Sequence, residues 1–241
     1  MRKDPQPVNA EPFGALPTPG DPDFSMEAIA TRMTSSGVIG VQLIPVRHST
    51  RESALILVRH ALLEPETHTP GLQALAWSGE PYRLRRGEHA GEVAHSTNRD
   101  TAHYGQQYMY TDIAKPALPW PASGPIPILR SLFAQLIGVP LERVDQCSCN
   151  HNVAGKGMGV HQDKRDPSVV GSFSFLDSRR MGFCVLERNQ FDDDLATILL
   201  KPGSLLIFGK DFNEKFKHGI RDQAGSGQRI SVIFRIFARQ S

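Results

Sequence analysis

His161 and Asp163 stand two residues apart in Gly159-Val160-His161-Gln162-Asp163. On an extended strand, positions i and i+2 point to the same side, so an imidazole and a carboxylate can converge on one point. A third ligand must come from elsewhere. His218, in Phe216-Lys217-His218-Gly219-Ile220, lies in a second candidate strand near the C-terminus. Two imidazoles and one carboxylate on one face of an octahedral ion leave three positions open. That arrangement suits non-haem Fe(II), with room for a bidentate co-substrate and dioxygen. Taken alone, His-x-Asp also describes an ordinary turn with a hydrogen-bonded histidine. His48, His60, His68, His89, His95 and His103 show no ligand spacing and are expected at the surface. Cys147 and Cys149 can share a face, but two thiols do not make a zinc site, and they read as small core residues.

A second group of residues strengthens the metal reading. In Arg229-Ile230-Ser231-Val232-Ile233-Phe234-Arg235, Ile230, Val232 and Phe234 alternate with Arg229, Ser231, Ile233 and Arg235. On a strand both arginines face one side. A buried guanidinium is costly unless paired. A dicarboxylate co-substrate would supply the partner, because the planar fork of Arg makes a bidentate contact with a carboxylate. An outward-facing basic strand is the competing reading, and the alternation permits either.

The elements that would position these residues are short. After residue 140, β-rich pieces separated by Gly, Asp and Asn cover 146–152, 159–161, 172–176, 183–186, 197–200, 204–208, 217–221 and 229–237. Many short strands at close spacing predict a β-sandwich or barrel. Ile126, Leu129, Leu132, Phe133 and Leu136 recur at helical spacing, with Gly138 suited to the C-terminus and Pro140 beyond it, so 125–136 is expected to be a helix. Ser25 is placed to cap a helix over 26–33. Residues 38–46 suggest a strand, and 53–63 fit helix or strand equally. The segment 77–110 has poor periodicity and reads as hairpins and loops. Pro5, Pro7, Pro12, Pro17, Pro19 and Pro22 mark residues 1–23 as a disordered leader.

The chain has 241 residues, 39% of them hydrophobic and 22% charged, as in an ordinary globular protein. Its net charge of +2 is too small to argue for nucleic acid by itself. Three cysteines and an N-terminus without an apolar h-region lead us to expect no disulfide framework and an intracellular setting, cytoplasm or nucleus. No apolar run approaches a membrane span, and no membrane partner is expected.

Together these residues resemble the AlkB family of dioxygenases. Asn150-His151-Asn152-Val153-Ala154-Gly155 followed by the His161-x-Asp163 pair is similar to that family's Asn-x-Tyr-x-x-Gly…His-x-Asp signature. Arg229 to Arg235 is similar to its Arg-x-Asn-x-x-x-Arg pattern. His103 to Tyr110 and Leu118-Pro119-Trp120-Pro121 resemble its substrate-lid hairpin and connector. The resemblance spans about 100–237. It implies a mixed, mainly β fold with a double-stranded β-helix (jelly-roll) core over 101–241, and an N-terminal extension and lid region over 24–100. It implies Fe(II) held by His161, Asp163 and His218, with 2-oxoglutarate as co-substrate and O2 as oxidant. By the same resemblance Arg229 would pair with the distal carboxylate of 2-oxoglutarate and Asn150 would hydrogen-bond the co-substrate. Arg235 would orient Asp163 or the inner carboxylate. Tyr104, Tyr108 and Tyr110 would lie on or under the lid.

Three departures stand out. Asn152 replaces the family's usual Tyr, and Ser231 its frequent Asn; both remain polar co-substrate candidates. Where some members read the base with an acidic residue, this chain has Arg165, followed by Asp166. The implied reaction is oxidative demethylation of N-alkylated bases, releasing formaldehyde and succinate, on DNA or RNA that is single-stranded or has its base flipped out. Arg83, Arg85 and Arg86 are the phosphate-contact candidates, a solvated charged loop being the alternative. A monomer is expected. The same chemistry on a protein or small molecule, or a silent cupin-like binding module, are the competing readings.

Overall fold

The computed structural model describes residues 25–83, 92–107, 113, 117–164 and 167–238. Tyr108, Tyr110, Arg165, Asp166, Arg85 and Arg86 lie outside these residues, as do the leader and the side chain of Arg83.

The fold is mainly β, built as two antiparallel sheets with a jelly-roll core. Helix α1 (Met26–Ser35) comes first, then β1 (Val41–His48) and β2 (Arg51–Val58), a short α2 (Thr69–Gln73), β3 (Ser78–Arg83) and β4 (Val93–Gly105). Helix α3 (Pro125–Ile137) follows, then β5 (Gln146–Asn152), β6 (Met158–His161), β7 (Pro167–Leu176), β8 (Arg179–Val185), β9 (Ile198–Leu200) and β10 (Leu205–Gly209). Helix α4 (Lys210–Lys215), β11 (Phe216–Ile220) and β12 (Arg229–Phe237) complete the chain. Among the described residues the larger sheet runs β1-β2-β10-β7-β12-β5-β4-β3 and the smaller β6-β11-β8-β9. Strands from residues 41–58 thus extend the sheet that carries β5, β7, β10 and β12.

The helices form as the sequence implies. The Ser25 hydroxyl accepts a hydrogen bond from the Ala28 amide at the start of α1, and Ile29 and Met33 are buried. Gly138 ends α3 at φ 73°, the left-handed conformation that glycine adopts without a Cβ penalty. Both helices lie on one face of the larger sheet. Phe133 stacks on Phe234 at 5.7 Å between ring centroids. The face they cover is apolar throughout: Ile56, Cys147, Cys149, Phe173, Phe175, Ile230, Val232 and Phe234 are all buried in one cluster. The thiols of Cys147 and Cys149 lie 3.7 Å apart within it, as small core residues.

The other face of the larger sheet meets the smaller sheet. Leu55, Leu57, Leu206, Phe208, Phe183, Phe212 and Phe216 form a second core there. Both faces of the larger sheet are therefore covered, which explains why β2 and β10 read as nearly continuous apolar runs rather than as alternating strands.

Two expectations are corrected. Within the expected hairpins and loops of 77–110, β3 and β4 do pair antiparallel, but 93–105 is one long strand that also pairs with β5 and so belongs to the larger sheet. Its alternation was hidden because Arg99, Thr101 and His103 face a polar interior. Helix α4 departs from the sequence reading; Lys-Asp-Phe-Asn-Glu-Lys offers no apolar period, and Phe212 is its one buried apolar side chain.

Candidate active site

Register brings the three proposed ligands together. β6 and β11 are antiparallel neighbours with His161 opposite His218, and the two imidazole rings lie 4.5 Å apart. Gly219 makes this close approach possible: a Cβ there would sit 2.6 Å from the Met158 carbonyl oxygen. Asp163 follows directly after β6. Asn213 of α4 clamps its backbone: the Asp163 amide donates to the Asn213 side-chain oxygen and the Asn213 amide donates to the Asp163 carbonyl, each at 2.9 Å. One ligand atom from each of His161, Asp163 and His218 lies within 4.8 Å of the others. Asn213 was not foreseen, and no sequence motif marks it.

Burial fixes the charge state of this cluster. It pushes the His161 imidazole below its usual pKa, and it lowers His218 to about 3, helped by the neighbouring His161. Both are therefore neutral, the form in which imidazole ligates a metal. The His161 Nδ1 lies 3.0 Å from the Gly159 carbonyl oxygen. Nδ1 must donate there, which makes Nε2 the acceptor nitrogen of the ring, the tautomer in which a histidine ligates a metal. Nδ1 of His218 is buried with no protein partner among the described residues. For Asp163, burial opposes ionisation. Arg235 outweighs it, by charge and by hydrogen bonding, and the carboxyl is held well below the usual carboxylate range.

Arg235 grips that carboxylate with both sides of its fork, Nη2 to Oδ1 at 3.0 Å and Nε to Oδ2 at 3.3 Å. Its Nη1 donates to Gln146 Oε1 at 2.9 Å and to Ser148 Oγ at 3.1 Å. Arg229 is placed differently. It is 2% exposed, and its Nη2 donates to Ser174 Oγ at 2.9 Å, but no described carboxylate pairs with it and its Nε has no described partner. Burial lowers its pKa to about 10, with a further push from Arg179.

These groups line one cavity between the sheets, with an empty volume of about 610 Å³ that includes its open mouth. Arg229, Ser231 and Arg235 from β12 and Asn150 from β5 face into it, with Ser231 3.5 Å from the Asn150 amide. Asn152 does not reach the cavity; its amide donates weakly to the Gly157 carbonyl at 3.4 Å. Met158, Met181, Phe208 and Ile220 supply apolar wall. Tyr104 is corrected from a lid position: on β4 it faces the helix-covered core, packed with Ala102, and is 5% exposed. His103, the residue before it, faces the cavity and is buried, which corrects its expected surface position.

A cluster of two imidazoles and a carboxylate beside an unsatisfied buried arginine has a well-defined class. Residues 40–235 match the model of the 2OG-Fe(II) oxygenase superfamily, and the chain belongs to that superfamily. It is an oxidoreductase of the dioxygenase type, using Fe(II), 2-oxoglutarate and O2. The solved structure of OsALKBH1 shares its fold, at 17% identity and a TM-score of 0.51, covering 75% of this chain and 97% of that one. No curated protein matches the sequence. Among the described residues no helix is long and apolar enough to cross a membrane.

Proposed function

We propose that the chain oxidatively demethylates N-alkylated bases in nucleic acid that is single-stranded or has its target base flipped out. The observation that carries this reading is the cavity beside the three ligands. It is walled on part of its surface by Met158, Met181, Phe208 and Ile220, and lined elsewhere by a few fixed polar groups.

In this reading His161, Asp163 and His218 hold Fe(II). Their fit rests on converging ligand atoms, neutral imidazoles and an ionised carboxylate. The iron, with 2-oxoglutarate and dioxygen, supplies the oxidation of the methyl group, and formaldehyde and succinate are released. The protein positions the reactants and excludes water. Arg229 receives the distal carboxylate of 2-oxoglutarate, which satisfies its buried Nε. Asn150 and Ser231 border that carboxylate's approach from β5 and β12. Arg235 keeps Asp163 ionised and fixed in orientation, so that the ligand cannot swing away or protonate. Tyr108, Tyr110, Arg165 and Asp166 are the proposed base contacts, and Arg83, Arg85 and Arg86 the proposed phosphate contacts. Monomeric action on DNA or RNA inside the cell completes the proposal.

The test is mass spectrometry of short single-stranded DNA and RNA oligonucleotides, each with one N-methylated base, incubated with the protein, Fe(II), 2-oxoglutarate and ascorbate in air. Loss of a methyl mass that disappears in His161→Ala supports the proposal. Succinate release with no oligonucleotide changed would overturn the nucleic-acid substrate and favour a protein or small molecule on the same site.

A further inference from the structure

The cavity contains a polar group that the ligand set and the co-substrate contacts do not use. His103 of β4 is 6% exposed and lines the same cavity as His161, Asp163 and His218. Its Nδ1 lies 3.0 Å from Ser148 Oγ. Its Nε2 is buried and has no partner among the described residues.

The surrounding hydrogen bonds decide which nitrogen carries the proton. Arg235 can only donate, so the Gln146 atom facing its Nη1 must be the carbonyl oxygen. That turns the Gln146 amide nitrogen toward Ser148 Oγ, 2.7 Å away. Ser148 Oγ also receives Arg235 Nη1 at 3.1 Å. A hydroxyl has two acceptor sites and one proton. Both acceptor sites are taken, so the proton is left for His103, whose Nδ1 must accept it. A neutral ring that accepts at Nδ1 carries its hydrogen on Nε2. The ring is neutral because burial lowers its pKa to about 4, with Arg235 and Arg99 adding to the effect.

We infer that His103 is a specificity-determining donor, held by Ser148 as the Nε2–H tautomer and aimed at a hydrogen-bond acceptor on the substrate. A buried donor at this point selects an acceptor on the substrate, because a donor facing it would leave buried N–H groups unpaired. The inference rests on the nucleic-acid reading for its substrate class. Within that class it names neutral bases whose methylated nitrogen is flanked by carbonyl oxygens. 3-Methylthymine has a carbonyl on each side. 1-Methyladenine has an amino group and a C–H there, and is cationic at neutral pH.

Two measurements test this. The first compares single-stranded oligonucleotides carrying 3-methylthymine or 1-methyladenine, read as kcat/KM for methyl loss. The wild type is expected to favour 3-methylthymine by roughly tenfold or more, the scale of one buried hydrogen bond. His103→Phe should collapse that ratio, and His103→Gln, which can place an amide N–H near the same point, should retain it. A preference for 1-methyladenine, or a ratio unchanged in His103→Phe, overturns the inference. The second reads the ring nitrogens of His103 by ¹H–¹⁵N spectroscopy of the substrate-free full chain with Zn(II) in place of iron. An Nε2–H tautomer that loses its definition in Ser148→Ala supports the inference; an Nδ1–H or doubly protonated ring overturns it. Because this spectrum needs no substrate, it judges His103 even if neither oligonucleotide is demethylated, an outcome that would count against the nucleic-acid reading instead.

Discussion

The two faces of β12 are one residue apart in sequence and opposite in chemistry. Ile230, Val232, Phe234 and Ile236 lie in the apolar core beneath α1 and α3. Arg229, Ser231, Ile233 and Arg235 line the cavity between the sheets. Both faces are largely buried, so burial does not separate them; partner chemistry does. On the helix side, close packing is the whole interaction. On the cavity side each charged group is either paired, as Arg235 is with Asp163, or left with an unsatisfied donor, as Arg229 is. The lesson is that a costly group left incompletely satisfied in the fold points to a ligand, whereas a satisfied one points to positioning.

That contrast can be broken experimentally. The largest effect is expected from Asp163→Ala, which should abolish succinate release and metal binding, the latter read by calorimetric titration with Mn(II). It removes a ligand and leaves Arg235 buried without its carboxylate, so a loss of several kcal/mol in stability on chemical denaturation is also expected, about 3–5 kcal/mol for a broken buried pair. Arg229→Ala should behave differently. Removing an incompletely paired buried charge should cost little stability, while KM for 2-oxoglutarate in succinate release should rise about a hundredfold or more, the loss of a bidentate carboxylate contact. A marked drop in stability with an unchanged KM would reverse the roles given to the two arginines.

Phe133→Ala probes the other face. It should cost about 3–5 kcal/mol of stability by opening a cavity over Phe234, and leave KM for 2-oxoglutarate unchanged in the folded fraction. His103 yields a pH prediction. Its folded pKa of about 4 is below the ordinary histidine value of 6.5. The unfolded chain thus binds more protons between those values, and stability falls as pH drops from about 6.5 to about 4. Denaturation midpoints should show a shallower decline across that window in His103→Phe, with a difference of the order of 2–3 kcal/mol between its ends. The smallest effect belongs to the exposed Arg47–Glu52 pair at the far edge of the larger sheet, where Glu52→Gln should change stability by no more than about 0.5 kcal/mol.

The sequence was most informative where alternation met a covered apolar face. The bounds of β5 and β12 agree with the strands expected over 146–152 and 229–237, and α3 extends the expected helix by a single residue. It was ambiguous where both faces are buried for different reasons. Alternation could not decide whether Arg229 and Arg235 point inward or outward, because the sheet is covered on both sides; the structure places both in the cavity, buried. The length of β4 and its pairing with β5 were not legible for the same cause: its cavity face is polar, and on its core face Ala102 is too small to signal a period. Tyr104 was misplaced as a consequence, since without a register the residue facing the cavity could not be told from its neighbour. The metal cluster was legible because its members are chemically rare and two of them share a strand-like spacing. Gln146, Ser148 and Asn213, which hold that cluster in place, carry no motif; they become functional only through distances that the fold sets.

The central claim is that His161, Asp163 and His218 bind the iron while Arg229 anchors the far end of 2-oxoglutarate. A crystal structure obtained without oxygen, with Mn(II) and 2-oxoglutarate, tests it most directly. The ion is expected on those three side chains, with Arg235 still paired with Asp163 and the distal carboxylate on Arg229. An ion bound elsewhere, or a co-substrate whose distal carboxylate leaves Arg229 untouched, would contradict it.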